Sequence, residues 1–172
     1  MTGINQGLER TRQLLDKAAF LAPLATRIVI GLAFFHTGSG KWHNFAHTVE
    51  FFTSLGIPAP AANAAFVSTL ELVGGPLLIV GLLTRPVAAL LSSTMVVALL
   101  TADRANFLAS WSAASESSPT DIAAFTFLLF LGWLVFHGPG TLSLDRLLGT
   151  LVKRRPAGPT QPAWAGGKDT TP

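Results

Sequence analysis

The sequence predicts an all-α protein: an integral membrane four-helix bundle with short amphipathic helices at its interfaces. Three observations lead there. Of 172 residues 49% are hydrophobic and only 12% charged, about half the charged share of an ordinary soluble domain. The apolar residues gather in four runs, about 18–36, 61–83, 86–102 and 121–137, each of a length suited to crossing a bilayer. Within these runs the full charges near mid-span are Arg27 and Glu71, and intramembrane charges persist where they face protein, water or a partner.

The same composition excludes several functions. A net charge of +3 and a pI near 10 would suit nucleic acid, but the basic residues sit at the ends of apolar runs and form no stripe with interleaved aromatics. No nucleic-acid role is expected. Without cysteine the chain makes no disulfide, thiolate-held cluster or CxxC exchange of its own. It carries no haem, flavin or iron–sulfur motif, so any redox role requires a bound cofactor or a partner.

Residues 1–17 place Ile4, Leu8, Thr11 and Leu15 at helical spacing beside Arg10, Arg12 and Lys17, a basic amphipathic lead-in on the membrane surface. Arg27 interrupts the apolar stretch that follows and no small-x-small site succeeds it, which speaks against a cleaved signal peptide. The first span is read to end at 36, followed by a long outer loop, Thr37 to Pro60. Within that loop Phe45, Val49 and Phe52 share a face, and Gly56 and Pro58 are placed to stop a short interfacial helix. Trp42 would sit at headgroup level.

The second span carries Glu71 and the Gly74-Gly75-Pro76 interruption. Pro76 cannot donate to the Leu72 carbonyl, so a break with a freed acceptor is expected beside the carboxylate. Pro86 suits the first turn of the third span, whose Ser92, Ser93 and Thr94 favour close helix contact. Ser118, Pro119 and Asp121 form a start signal for the fourth span, which is rich in Phe and has Trp133 near one end. His137 would cap its last carbonyls.

A Gly138-Pro139-Gly140 turn and a Ser143 cap introduce a helix within 138–155. Leu144, Leu147, Leu148, Leu151 and Val152 fall on one side, with Asp145, Arg146 and Thr150 opposite. Ending in Lys153, Arg154 and Arg155, it should lie on anionic headgroups. Residues 156–172, rich in Pro, Gly and Thr, are expected to be disordered. Arg10, Arg12, Lys17, Arg85, Arg146, Lys153, Arg154, Arg155 and Lys168 fall on one side of the membrane, against Lys41 and Arg104 on the other. That imbalance puts both termini in the cytoplasm.

Antiparallel spans would bring Arg27 and Glu71 to similar depth. The pair admits two readings. One is an ion pair that fixes helix register; the other is a polar pocket where Arg27 binds an anionic or quinone oxygen and Glu71 moves a proton. His36 and Lys41 would stand at the mouth of such a pocket and Trp42 would stack on a quinone ring, although the ordinary readings, a satisfied interfacial histidine, a solvated lysine and an interface anchor, account for them without a pocket. His43, His47 and Glu50 share one face of a helix and are weak candidates for a divalent ion.

Several blocks together resemble the DoxX family: Arg27, the run from Phe34 to Lys41, the Glu71 to Arg85 segment, Met95 with Ala98, and Gly-Pro-Gly-Thr-Leu-Ser-Leu-Asp from Gly138 to Asp145. The resemblance covers roughly 26–148. It implies a four-helix protein of the bacterial inner (plasma) membrane associated with quinone-linked oxidoreductases. Members often carry a histidine where this chain has Asp103, which leaves that role altered or absent here; Asp121 stands near a position where many relatives have an acid.

The leading expectation is therefore a quinone-interacting or accessory subunit of a membrane oxidoreductase system. Its partners would be the lipid bilayer, a soluble redox or accessory protein and, in some assemblies, a second copy of itself. The alternative is a non-catalytic membrane anchor or an assembly or stress-response factor whose buried charges are structural. A transporter draws little support from four spans without an internal repeat.

Overall fold

The computed structural model describes residues 9, 12, 18–112 and 116–153. The rest of the expected lead-in and the tail at 156–172 lie outside the described residues. Among the described residues the regular structure is entirely helical.

Helix α1, Leu21–His43, is about 34 Å long at 1.5 Å per residue. It passes without interruption through Gly38 and Gly40, where a loop is expected from sequence. The short helix α2, Phe45–Ser54, follows a kink at Asn44, and Gly56, at φ +70°, ends it. Helix α3, Pro60–Val80, starts on a first-turn proline and continues through Pro76. The expected break at Gly74-Gly75-Pro76 is thus absent as a break in the helix; the Pro76 side sits on the exposed face. Gly81 at φ +72° closes α3, with Leu82 N–H donating to the Leu77 carbonyl at 2.9 Å, a Schellman end that only glycine adopts without strain.

Helix α4, Thr84–Leu100, leads through α5, Arg104–Ala109, toward a 3₁₀ turn at Pro119–Asp121. The start signal there is realised as a capping box: the Ser118 amide donates to Asp121 Oδ2 at 2.7 Å, and Ser118 Oγ accepts from Thr120 N–H. Helix α6 is Ala123–His137 and α7 Leu144–Lys153. The Arg146 amide donates to Ser143 Oγ at 3.3 Å, so Ser143 caps α7 as its position implies.

Packing runs most extensively between α1 and α3 and between α4 and α6, with α3 against α4 joining the pairs and a smaller α1–α6 contact completing the circuit. Phe34, Leu78, Leu91, Leu131 and Leu134 form one buried core from all four helices; the Phe34 and Phe127 rings, 5.5 Å apart, link α1 to α6. The outward faces are equally apolar, with Val29, Val73, Leu90, Val97, Leu129 and Phe136 exposed. A surface this apolar over every long helix suits a hydrocarbon surround, where association rests on close packing and buried polar contacts. By length and composition α1 and α3 can each cross a membrane, whereas α4 and α6 are apolar but shorter.

The α1–α3 contact fixes the register. At Gly31 and Gly75 the two backbones meet so closely that a Cβ on either would strike the other helix, and a Cβ on Gly38 would strike the backbone of Glu71 and Leu72. This is the small-residue packing that lets membrane helices approach.

Candidate functional site

Two polar centres occupy opposite ends of the α1–α3 contact. The first holds Glu71, 1% exposed, whose Oε1 accepts from Lys41 Nζ at 2.5 Å. Its other oxygen, Oε2, is buried with no hydrogen-bond partner among the described residues. Lys41 reaches it because α1 extends nearly two turns past His36. The pair lines a cavity of about 500 Å³ among α2, α3 and α4, whose walls include Phe52, Val67, Met95 and Ala98. Phe51, Phe66 and Val97 line the same cavity and are also exposed on the outer surface.

Helix α2 is a wall of this cavity and packs on α3 and α1, burying Thr48 and Phe52. The Thr48 hydroxyl hydrogen-bonds to the Lys41 and Asn44 carbonyls, at 3.2 and 3.1 Å. It thereby ties the turn between α1 and α2 next to the lysine.

The second centre holds Arg27, also 1% exposed. Its Nη2 donates to the Leu142 carbonyl, and the Asp145 carboxylate lies close enough to attract it; among the described residues Nε and Nη1 have no hydrogen-bond partner. A side chain at Gly81 would collide with the guanidinium. Asp145 Oδ1 accepts from the Leu83 amide at 2.8 Å and Oδ2 from the Thr84 amide at 3.0 Å, which caps α4 and holds Leu83 at φ +51°. The Asp145 amide in turn donates to the Gly81 carbonyl at 3.0 Å. The segment from Gly138 to Asp145 therefore latches the α3–α4 turn to Arg27.

The expected Arg27–Glu71 pair does not form. Equal depth assumed that each charge marks the middle of its span. In the structure Glu71 packs level with Gly38 and Gly81 level with Arg27; eleven residues of α1 separate those levels, about 16 Å along the axis. No arginine side chain spans that gap, and Lys41 takes the carboxylate instead.

The remaining sequence candidates stand apart from the cavity floor. His36 is exposed, with its ring edge-on to Phe35. Trp42 stacks on Phe45 at 5.1 Å, is half-exposed and is not among the residues that line the cavity. His43 belongs to the last turn of α1, where Nδ1 contacts the Ser39 carbonyl at 2.9 Å, while His47 and Glu50 lie 3.8 Å apart on α2 and exposed. The kink at Asn44 breaks the single face that the three were expected to share, and among the described residues no group of three metal-ligating side chains converges. His137 stacks on Trp133, and the terminal Phe136 carbonyl of α6 accepts from Arg85 at 3.4 Å, so arginine does the capping expected of the histidine. Asp103 precedes α5 without a side-chain cap.

Sequence reasoning missed Thr48, the carbonyl of Leu142 and the capping role of Asp145. The available signal was the joint presence of the 71–85 and 138–145 blocks, which the structure brings into direct contact.

A family model described as DoxX matches residues 22–104. The chain is 33% identical over 87 residues to "Putative oxidoreductase CatD" of Bacillus subtilis, covering 51% of this chain and 63% of that protein, less than two thirds of its length. It is 36% identical to "Uncharacterized membrane protein Rv3486" of Mycobacterium tuberculosis, over 73% of this chain and 80% of that one. It is 32% identical to "Inner membrane protein YphA" of Escherichia coli, over 72% and 87%. No solved structure matches. The family model and the two relatives matched over most of their length agree with the paired sequence blocks, and the chain belongs to the DoxX family of membrane proteins.

Proposed function

We propose that this protein crosses the bacterial inner membrane four times, with both termini in the cytoplasm, and serves as a quinone-interacting subunit of a membrane oxidoreductase system. The observation that carries this reading is the cavity of about 500 Å³ floored by Lys41 and the half-satisfied carboxylate of Glu71. Its size lies within the range of small-molecule sites, roughly 300–1,000 Å³. Apolar walls with a few convergent polar groups suit a ring bearing two oxygens. The exposed apolar rim at Phe51, Phe66 and Val97 favours a ligand that arrives from lipid.

When bound, a quinone would supply the two-electron, two-proton chemistry that no side chain here possesses. Lys41 Nζ donates a hydrogen bond to a ring oxygen, Glu71 holds or moves a proton, and the apolar walls exclude water. Electrons come from or go to a soluble redox partner. The name of the Bacillus subtilis relative, an oxidoreductase, supports the class of chemistry. Arg27 acts on architecture through Leu142 and Asp145 and touches no ligand.

A second reading, a non-catalytic anchor or assembly factor, draws support from that Arg27 latch, which accounts for one of the two buried charges by packing alone. Binding separates the two. Protein purified in mild detergent should yield quinone on solvent extraction and bind ubiquinone-1 saturably, and Lys41→Met, which removes the donor to the ring oxygen, should weaken that binding while the protein stays monodisperse. A folded protein that carries and binds no quinone refutes the redox reading. Because the chain has no cysteine, topology is testable directly: His47→Cys should be labelled by an impermeant maleimide from outside, and Arg146→Cys only after permeabilisation.

A further inference from the structure

We propose that the end of α3 and the start of α7 form a binding site for an anionic phospholipid, whose phosphate lies on Arg146 and whose upper acyl chain lies on Leu142 and Leu147. The inference uses the reading in which α3 crosses the membrane and is independent of what the cavity beside Glu71 binds. An open groove of about 510 Å³ lies between Val80 and the 141–150 segment, with Leu142, Arg146, Leu147 and Thr150 on its walls. Helix α3, Pro60–Val80, is about 31 Å long, close to the ~30 Å thickness of a bilayer's hydrocarbon core. Its end at Val80 therefore lies where acyl chains give way to headgroups, in the leaflet that the proposed topology makes the cytoplasmic one. The Asp145 amide, bonded to the Gly81 carbonyl at 3.0 Å, holds the first turn of α7 at that same level.

Charge and polarity along the groove identify the occupant. Between Gly138 and Arg155 the only acid is Asp145, and its two oxygens are committed to the Leu83 and Thr84 amides. Arg146 is exposed, and among the described residues its guanidinium forms no ion pair and no hydrogen bond. Thr150 spends its hydroxyl proton on the Leu147 carbonyl at 2.7 Å. Arg146 is thus the groove's charged donor, a planar fork matched to phosphate oxygens, and Lys153, Arg154 and Arg155 follow it in the sequence. Leu142, Leu144, Leu147 and Leu148 are exposed and continue the apolar surface of Val80. A phosphodiester carried on acyl chains meets both the arginine and the leucines. An acidic protein surface would pair the arginine and set the leucines against charge; a free phosphate would leave them in water.

The test uses the full-length protein with a fluorophore on Thr141→Cys, the single cysteine of that variant, in vesicles of phosphatidylcholine with brominated chains. Bromines reaching the groove quench the fluorophore, and unbrominated phosphatidylglycerol that displaces them restores it. One arginine near an anionic headgroup is worth about a fivefold preference, so phosphatidylglycerol should bind at least that much more tightly than phosphatidylcholine. Arg146→Gln should lower this ratio about fivefold. Arg104→Gln, the same change of charge on α5, should leave it unaltered, as should excess glycerol phosphate. No preference in the wild-type protein overturns the inference, as does an Arg104→Gln variant that loses as much as Arg146→Gln. Displacement by glycerol phosphate identifies a free-phosphate site and also overturns it. Absence of quenching shows that something other than lipid covers this face, with the same result. Each of these outcomes leaves the quinone reading standing, because that reading is tested by extraction and ubiquinone-1 binding.

Discussion

Replacing Lys41 by Met removes the partner of a carboxylate that is 1% exposed while keeping much of the apolar stem. Breaking a buried ion pair from one side costs about 3–5 kcal/mol. The Lys41 side chain is 30% exposed, so water already weakens the pair and the lower end, about 3 kcal/mol, applies. For a chain of this size each kcal/mol moves Tm by about 2–4 °C, which predicts a fall of about 6–12 °C. Glu71→Gln is milder, because the ammonium it leaves can swing toward the membrane surface; about 1 kcal/mol, or about 2–4 °C, is expected. The double variant, with two neutral side chains of similar volume, should recover at least half of the Lys41→Met loss, a coupling of about 2.5 kcal/mol or more. Thermal unfolding in one detergent, followed by tryptophan fluorescence and checked by size exclusion, gives all four values. Lys41→Met melting no lower than Glu71→Gln, or a double variant that loses the sum of the singles, would refute the buried pair.

Other consequences follow from the register and the latch. Asp145→Ala removes both acceptors of the α4 cap and should cost about 2–3 kcal/mol, read as a lower Tm and faster proteolysis near 81–86; Asp145→Asn, which keeps one acceptor, should lose less. Gly38→Val drives a side chain into the α3 backbone and should cost about 1–3 kcal/mol or more by overpacking, detected as lost thermal stability. Gly40→Ala, on the same helix with open space around it, should be neutral or stabilising by up to about 1 kcal/mol. If the two glycine variants behave alike, the close α1–α3 crossing is wrong.

Much of the fold could be read from local pattern. Hydrophobic runs locate α3, α4 and α6 to within a few residues, and Ser143 and the Ser118–Asp121 box mark helix starts because a cap needs only a few adjacent residues. The sequence also identifies Glu71 as the costly group that must be accommodated, since a lone carboxylate in an apolar run is visible without coordinates. It does not determine which cation meets it. Hydrophobic periodicity specifies the face that a helix buries and says little about axial register, and small residues permit several registers. The glycines at 38 and 40 read as a loop because each costs a helix about 1 kcal/mol relative to alanine. In the structure Gly38 is the point where α3 lies against α1, so tertiary contact repays that cost and carries the helix on to Lys41. The extra turns move the contact level of Glu71 away from Arg27, give the carboxylate to Lys41 and leave Arg27 to the 138–145 segment. Composition and spacing thus determined that two buried charges exist; only the packing of α1 on α3 decided that they serve separate centres, one beside a cavity and one inside a latch.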